Sequence, residues 1–178
     1  LMVVAGVVAG CNPGEPLAGI TAEPTSGAAP LTVQFTNRST NTKESTTTGT
    51  GGDTATILLP GDVRLELVRI PAGSFQMGSP DTERARVVWE GPVHMVTIGY
   101  DYYMGKYEVT QGQWLAMMGS NPGWTGGSGE GFNYPAYEVS WEDAQAFITA
   151  LNTHITETGQ GPATVRLPSE AEWEYACR

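Results

Sequence analysis

Cysteine, histidine and basic residues are scarce in this 178-residue sequence, with two Cys, two His and nine Lys plus Arg. Each scarcity excludes something. Cys11 and Cys177 are too few for a disulfide framework. No C-x-x-C or H-E-x-x-H spacing occurs, so the sequence offers no zinc motif. His94 and His154 read as ordinary strand or surface residues rather than ligands. Nine bases against nineteen acids give a net charge of -10 with no basic stripe, which argues against nucleic-acid binding. The acidity reads as solubility. No apolar run reaches the roughly 18 residues of a membrane-spanning helix. Glycine and proline are plentiful instead, 23 and 12, which favours a loop-rich fold over long regular elements. Hydrophobic residues make up 40%, enough to bury the core of one medium domain with a smaller segment beside it.

The front of the chain, LMVVAGVVAG, suits the apolar region of a secretory signal. Its small residues Val8, Ala9 and Gly10 stand directly before Cys11. This resembles a bacterial lipobox, in which the cysteine is lipidated and its acyl chains anchor the protein in a membrane. A plain signal or a buried strand is the alternative. The sequence begins at Leu1 without a basic n-region, so the start is expected upstream. Residues 1–11 are thus read as a lipoprotein-type signal, placing the protein outside the cytoplasm, anchored in the cell envelope. In residues 12–40 one strand is legible, Leu31 to Thr36, by apolar alternation at 31, 33 and 35. The stretch PTSGAAPLTVQFT resembles the opening of a PKD domain, but that family's WDFGDG-type motif is absent, so a PKD-like β remnant is expected. Residues 41–61 are Thr/Gly-rich and read as a linker, either a spacer or a plain tether.

Ordered structure is expected from about Asp62 to Arg178. VRLELVRIP alternates as a strand. Ser74 to Met77 and Val93 to Ile98 read as two more, and YYMGKYEVT as an extended aromatic segment. Three helices announce themselves with one device. Thr110-x-x-Gln113, Ser140-x-x-Asp143 and Ser169-x-x-Glu172 each form a capping box or a close variant. Their inward faces are expected to carry Trp114, Met117 and Met118; Trp141, Ala144, Phe147, Ile148 and Leu151; and Trp173 and Ala176. Glu170, Glu172 and Glu174 read as capping and surface charge rather than a paired-carboxylate site. Between the first two helices lies the Gly-rich loop MGSNPGWTGGSGEGFNYPAYEVS. Its Trp124, Phe132 and Tyr134 form the candidate binding loop, unless they fold back over the core.

IPAGSFQMGS, PVHMVTI, YYMGKYEVTQGQW, VSWEDAQAF and RLPSEAEWEYACR occur in order across residues 70–178. Together they resemble the formylglycine-generating enzyme, or sulfatase-modifying factor, family. The resemblance implies an α+β, loop-rich fold related to C-type lectin-like domains, incomplete here at its C-terminus. It implies oxidation of a sulfatase cysteine to formylglycine by oxygen and a copper-binding cysteine pair. That pair and the calcium ligands are expected downstream of RLPSEAEWEYACR, so copper and calcium belong to a longer chain and no catalytic, cofactor or metal residue is assigned here. Cys177 matches neither catalytic cysteine; it is expected to be a half-buried thiol, although some relatives use this position in a structural disulfide. An exported sulfatase, or another protein or peptide, is the implied partner, with the membrane engaged through Cys11. The alternative function is a non-catalytic, lectin-like binding module on a lipid-anchored surface protein. A third reading, an iron-dependent sulfoxide synthase, needs a histidine-rich site that two histidines do not supply.

Overall fold

The computed structural model describes residues 32–35, 53–124, 129–161 and 163–178. The signal-like run with Cys11, most of the PKD-like stretch and the Thr/Gly-rich residues up to 52 lie outside the described residues. The elements run β1 Thr32–Phe35, β2 Thr54–Leu59, β3 Val63–Ile70, β4 Gly73–Met77, β5 His94–Ile98, β6 Tyr102–Gly105, α1 Gln111–Met118, α2 Trp141–Glu157, β7 Ala163–Arg166 and α3 Glu170–Cys177. This is an α+β arrangement.

The main sheet has the order β2-β3-β6-β1-β7, and β4 and β5 form a separate antiparallel pair. Strand β2 lies in the segment expected to be a linker. Its alternation explains it: Ala55, Ile57 and Leu59 are buried, while Thr54, Thr56 and Leu58 face out. Threonine is as good a residue for a solvated strand face as for a linker, and composition alone did not separate the two. Pro60-Gly61-Asp62 then turns the chain into β3, with Gly61 at φ 74.

Both faces of the sheet are covered. One face joins Leu65, Leu67 and Tyr103 to Trp114 of α1, Phe147 and Leu151 of α2, and Val165. Trp114 and Phe147 stack with centroids 5.2 Å apart, fixing α1 against α2. The other face joins Tyr102 and Met104 to Ile98 and, partly buried, to Ala171 and Tyr175 of α3. All four residues of β6 are therefore buried, and its YYMG sequence lacks polar alternation for that reason.

The outer strands are closed by side-chain amides. Gln160 accepts from Leu58 N and donates to Leu58 O, both at 2.7 Å, on β2. Asn152 accepts from Val165 N at 2.8 Å and donates to Val165 O at 2.9 Å, on β7. Each amide satisfies a residue whose backbone groups would otherwise sit at a bare sheet edge.

All three capping boxes are formed, with both reciprocal bonds present. The helices begin one residue after each box hydroxyl, as the local chemistry dictates. The tryptophans divide differently from the expectation. Trp114 and Trp124 are core residues, whereas Trp141, at the first position of α2, is 45% exposed where the apolar stripe overhangs the end of the core. Trp173 is only half-buried. Ala176 packs against the Tyr102 and Met104 cluster as expected, but the most buried positions of α3 are Glu172 and Glu174, at 1% and 9% exposed. The reading of these two glutamates as surface charge is corrected accordingly.

Candidate binding surface

The most built-up surface lies where the 129–138 segment meets the start of α1. A helix leaves its first N–H groups without intrahelical partners. In α1, Gln111 N donates to Tyr134 O at 2.7 Å and Gly112 N to Phe132 O at 2.9 Å. Gln113 N takes the Thr110 hydroxyl at 3.2 Å. The loop thus satisfies the helix, and the helix fixes the loop. Gln111 completes the clamp. Its side chain, 3% exposed, donates to Gly129 O and Pro135 O and accepts from Gly131 N at 3.1–3.2 Å. Ala136 N donates to Val109 O at 2.8 Å on the far side.

Two rings stand on this clamp. Phe132 lies against Gly112, so closely that a Cβ there would meet the ring at 2.6 Å. Tyr134 lies against Gly129 and Gly131 in the same way. The glycines form a floor that only they can form. Phe132 and Tyr134 remain 60% and 51% exposed, because the floor covers one side of each ring. Trp124, the third residue of the candidate loop, is buried instead. Its indole N–H donates to Tyr137 O at 2.6 Å. It shapes the loop from beneath and presents no face to a ligand. Gln111 and Gly112 were not singled out in the sequence, since a glutamine beside a capping threonine carries no distinguishing signal.

A second polar constellation lies at α3. Glu172 receives both guanidinium nitrogens of Arg166, one at 2.7 Å, together with the Tyr100 hydroxyl at 2.9 Å and Ser169 N at 2.8 Å. Tyr102 donates its hydroxyl to the Glu172 carbonyl at 2.6 Å. Burial alone would push the Glu172 carboxyl up. Arg166, Ser169 N–H and Tyr100 outweigh it and hold the carboxyl at about 2. Burial pushes the Tyr102 phenol well above its usual range. Neighbouring Glu174 accepts from Gly78 N at 2.9 Å and pairs with Arg178 at 2.6 Å, tying α3 to the end of β4. Every carboxylate oxygen of Glu172 is occupied by a donor, so this constellation is a structural lock.

Among the described residues, no group of three or more His, Cys, Asp and Glu could hold a metal ion. Cys177 is half-buried on α3. The copper and calcium that the resemblance implies therefore find no such side-chain cluster among the described residues. Among the same residues no helix is long and apolar enough to cross a membrane.

Residues 61–178 match the family model described as the sulfatase-modifying factor enzyme 1-like domain, and the chain belongs to that family. It is 28% identical over 163 residues to the formylglycine-generating enzyme of Mus musculus, covering 64% of this chain and 40% of that protein. It is 26% identical over 168 residues to the formylglycine-generating enzyme of Thermomonospora curvata, covering 67% and 50%. It is 36% identical over 103 residues to the chaperone protein LppX of Paenibacillus barcinonensis, covering 43% and 35%. The matches therefore span half or less of these relatives' own lengths. Among solved structures it resembles Treponema denticola variable protein 1, with a TM-score of 0.53 at 27% identity, over 69% of this chain and 55% of that one.

Proposed function

We propose that this chain carries the scaffold of a formylglycine-generating domain in an exported lipoprotein, and that its polypeptide partner meets the domain at Phe132 and Tyr134. The observation behind the docking surface is the pair of half-exposed rings held on a glycine floor by Gln111. Aromatic rings fixed on such a floor offer contact area at small entropic cost, which suits an extended peptide. Kinship with two formylglycine-generating enzymes supports a sulfatase cysteine as the target. The export signal and a lipidated Cys11 rest on the Leu1–Gly10 run. Kinship with a protein named LppX is consistent with a lipoprotein setting. The oxidising chemistry belongs to residues other than those described here.

The second reading is a non-catalytic, lectin-like binding module. The exposed rings favour it. One experiment separates the two. The purified chain is incubated with a labelled sulfatase-type cysteine peptide and with a scrambled peptide of the same composition, and binding is followed by anisotropy. Binding that prefers the sulfatase-type peptide and is lost in Phe132→Ala and Tyr134→Ala supports the formylglycine-generating scaffold. Equal binding of both peptides, lost in the same variants, supports the module. No binding by a chain that melts cooperatively would defeat the docking surface.

A further inference from the structure

We propose that the peptide bond between Tyr137 and Glu138 is a strained hinge clasped by the Trp124 indole, and that this clasp decides whether the Phe132 and Tyr134 surface is formed. What the surface binds rests on the docking reading above; how it is held rests on contacts within the domain. First, Glu138 stands at φ 55. The left-handed region is disfavoured for a residue with a Cβ, and glutamate lacks the short polar side chain that lets asparagine settle there. Second, Glu138 is exposed, whereas Ala136 and Val139 on either side of the hinge are buried in the core. The turn between these two anchors therefore falls on Tyr137 and Glu138. Third, the carbonyl of that same peptide bond, Tyr137 O, accepts the Trp124 indole N–H at 2.6 Å. Trp124 is buried, so its donor has little water to turn to. Fourth, the anchor before the hinge leads straight into the surface. Ala136 N donates to Val109 O, while Pro135 O and Tyr134 O hold the side chain and the N–H of Gln111.

Together these contacts make a two-state element. The φ of one residue and the direction of the carbonyl before it change together, as in the exchange between type I and type II turns. With Glu138 at positive φ, Tyr137 O meets Trp124. With Glu138 returned to negative φ, the carbonyl turns away and the buried indole N–H loses its acceptor. Each state thus carries one cost: backbone strain when clasped, an orphaned buried donor when unclasped. Opposed costs of similar size keep both states within reach of a ligand's choice. A peptide on Phe132 and Tyr134 selects the clasped state, in which the rings lie on their glycine floor.

The test is amide hydrogen exchange on the full chain, which needs no ligand. Gln111, Gly112 and Gly131 report the surface, since their N–H groups bond to Tyr134 O, Phe132 O and the Gln111 side chain. Asp143 and Val165, whose N–H groups bond to Ser140 and Asn152, report the rest of the domain. Replacing the Trp124 indole by benzothiophene keeps the ring shape and removes the N–H. Protection of the surface amides should fall at least about fivefold, with the others unchanged. Glu138→Asn and Glu138→Val make the same charge change at an exposed position. Asparagine, tolerant of positive φ, should raise protection of the surface amides about threefold, and β-branched valine should lower it by a similar factor. Equal protection in these two variants would overturn the hinge. A loss spread evenly over all of these amides, or seen in none, would overturn the clasp. The labelled peptide then separates this inference from the docking reading. It should bind the benzothiophene chain at least about fivefold more weakly than wild type. Undiminished binding there would overturn the coupling of clasp to surface. A wild-type chain that binds no peptide while its surface amides respond as expected would defeat the docking surface and leave the clasp standing.

Discussion

Replacing Glu172 with Gln tests whether the α3 lock is electrostatic, and its size can be worked from the geometry. The carboxylate accepts from Arg166 twice, Tyr100 and Ser169 N, with donors on both oxygens. An amide must present an N–H to one of these sets, whichever way it is turned. The loss combines a broken buried pair with a donor facing a donor. Arg166 is 35% exposed, so water relieves part of it. We expect about 2–4 kcal/mol of destabilisation at neutral pH.

The pH dependence gives a sharper reading. The folded Glu172 carboxyl is held at about 2, against an ordinary value of 4.5. A depressed carboxyl stabilises the fold above its unfolded value, and that contribution is lost as pH falls toward the folded value. The shift corresponds to about 3 kcal/mol. Urea unfolding of wild type and Glu172→Gln, run in parallel from pH 7 to pH 2, isolates it, because other carboxylates titrate alike in both and cancel in the difference. The gap between the two proteins should be constant above about pH 5.5 and shrink steadily between about pH 4.5 and 2. A gap that holds constant down to pH 2 would refute the assignment of the low carboxyl to Glu172.

Other substitutions have equally definite outcomes. Gly112→Ala places a Cβ 2.6 Å from the Phe132 ring, which is exposed enough to swing away. Stability by thermal melting should change by less than about 1 kcal/mol, helped by alanine's helix propensity, while peptide binding falls. Asn152→Ala leaves Val165 N–H and C=O without their partner and should cost about 1–3 kcal/mol in urea unfolding. Ser140→Ala removes the α2 cap bond at 3.1 Å and should cost about 1 kcal/mol by the same assay, with Ser140→Gly costing less.

The helix starts were legible because capping is local chemistry: hydroxyl and partner lie three residues apart, and α1, α2 and α3 begin where the boxes place them. The strand at 31–36 was legible for the same kind of reason, by its alternation. Its position between β6 and β7 was not, since no local pattern encodes a pairing with residues 103 and 165. The burial of Glu172 was also hidden. Its lock draws on Tyr100, 72 residues away, and a glutamate in sequence looks solvated until its donors are assembled. Trp124 shows the converse. Surrounded by glycines it reads equally as a displayed aromatic or as a cover for the core, and only the assembled fold decides: Tyr137 O takes its N–H and the core takes its ring. Of the proposed binding loop, Phe132 and Tyr134 are displayed, and the floor that displays them came from glycines whose spacing alone says only "turn".

The same clamp also decides what kind of ligand the surface can take. A helix N-terminus is a ready anion site when its amides are open. In α1 they are not: Gln111 N, Gly112 N and Gln113 N are already bound to Tyr134 O, Phe132 O and the Thr110 hydroxyl. Gln111's own side chain is likewise occupied by Gly129, Gly131 and Pro135. What remains for a partner is mainly ring surface, with exposed Glu130 between the floor glycines, on a chain of net charge -10. Recognition there rests on apolar contact, which salt screens little, whereas an anion held by backbone amides would be released by salt. Peptide affinity should therefore change by less than about twofold between low and near-molar salt. A steep loss of affinity with salt would mean that the ligand is held by charge, and that Phe132 and Tyr134 are not its seat.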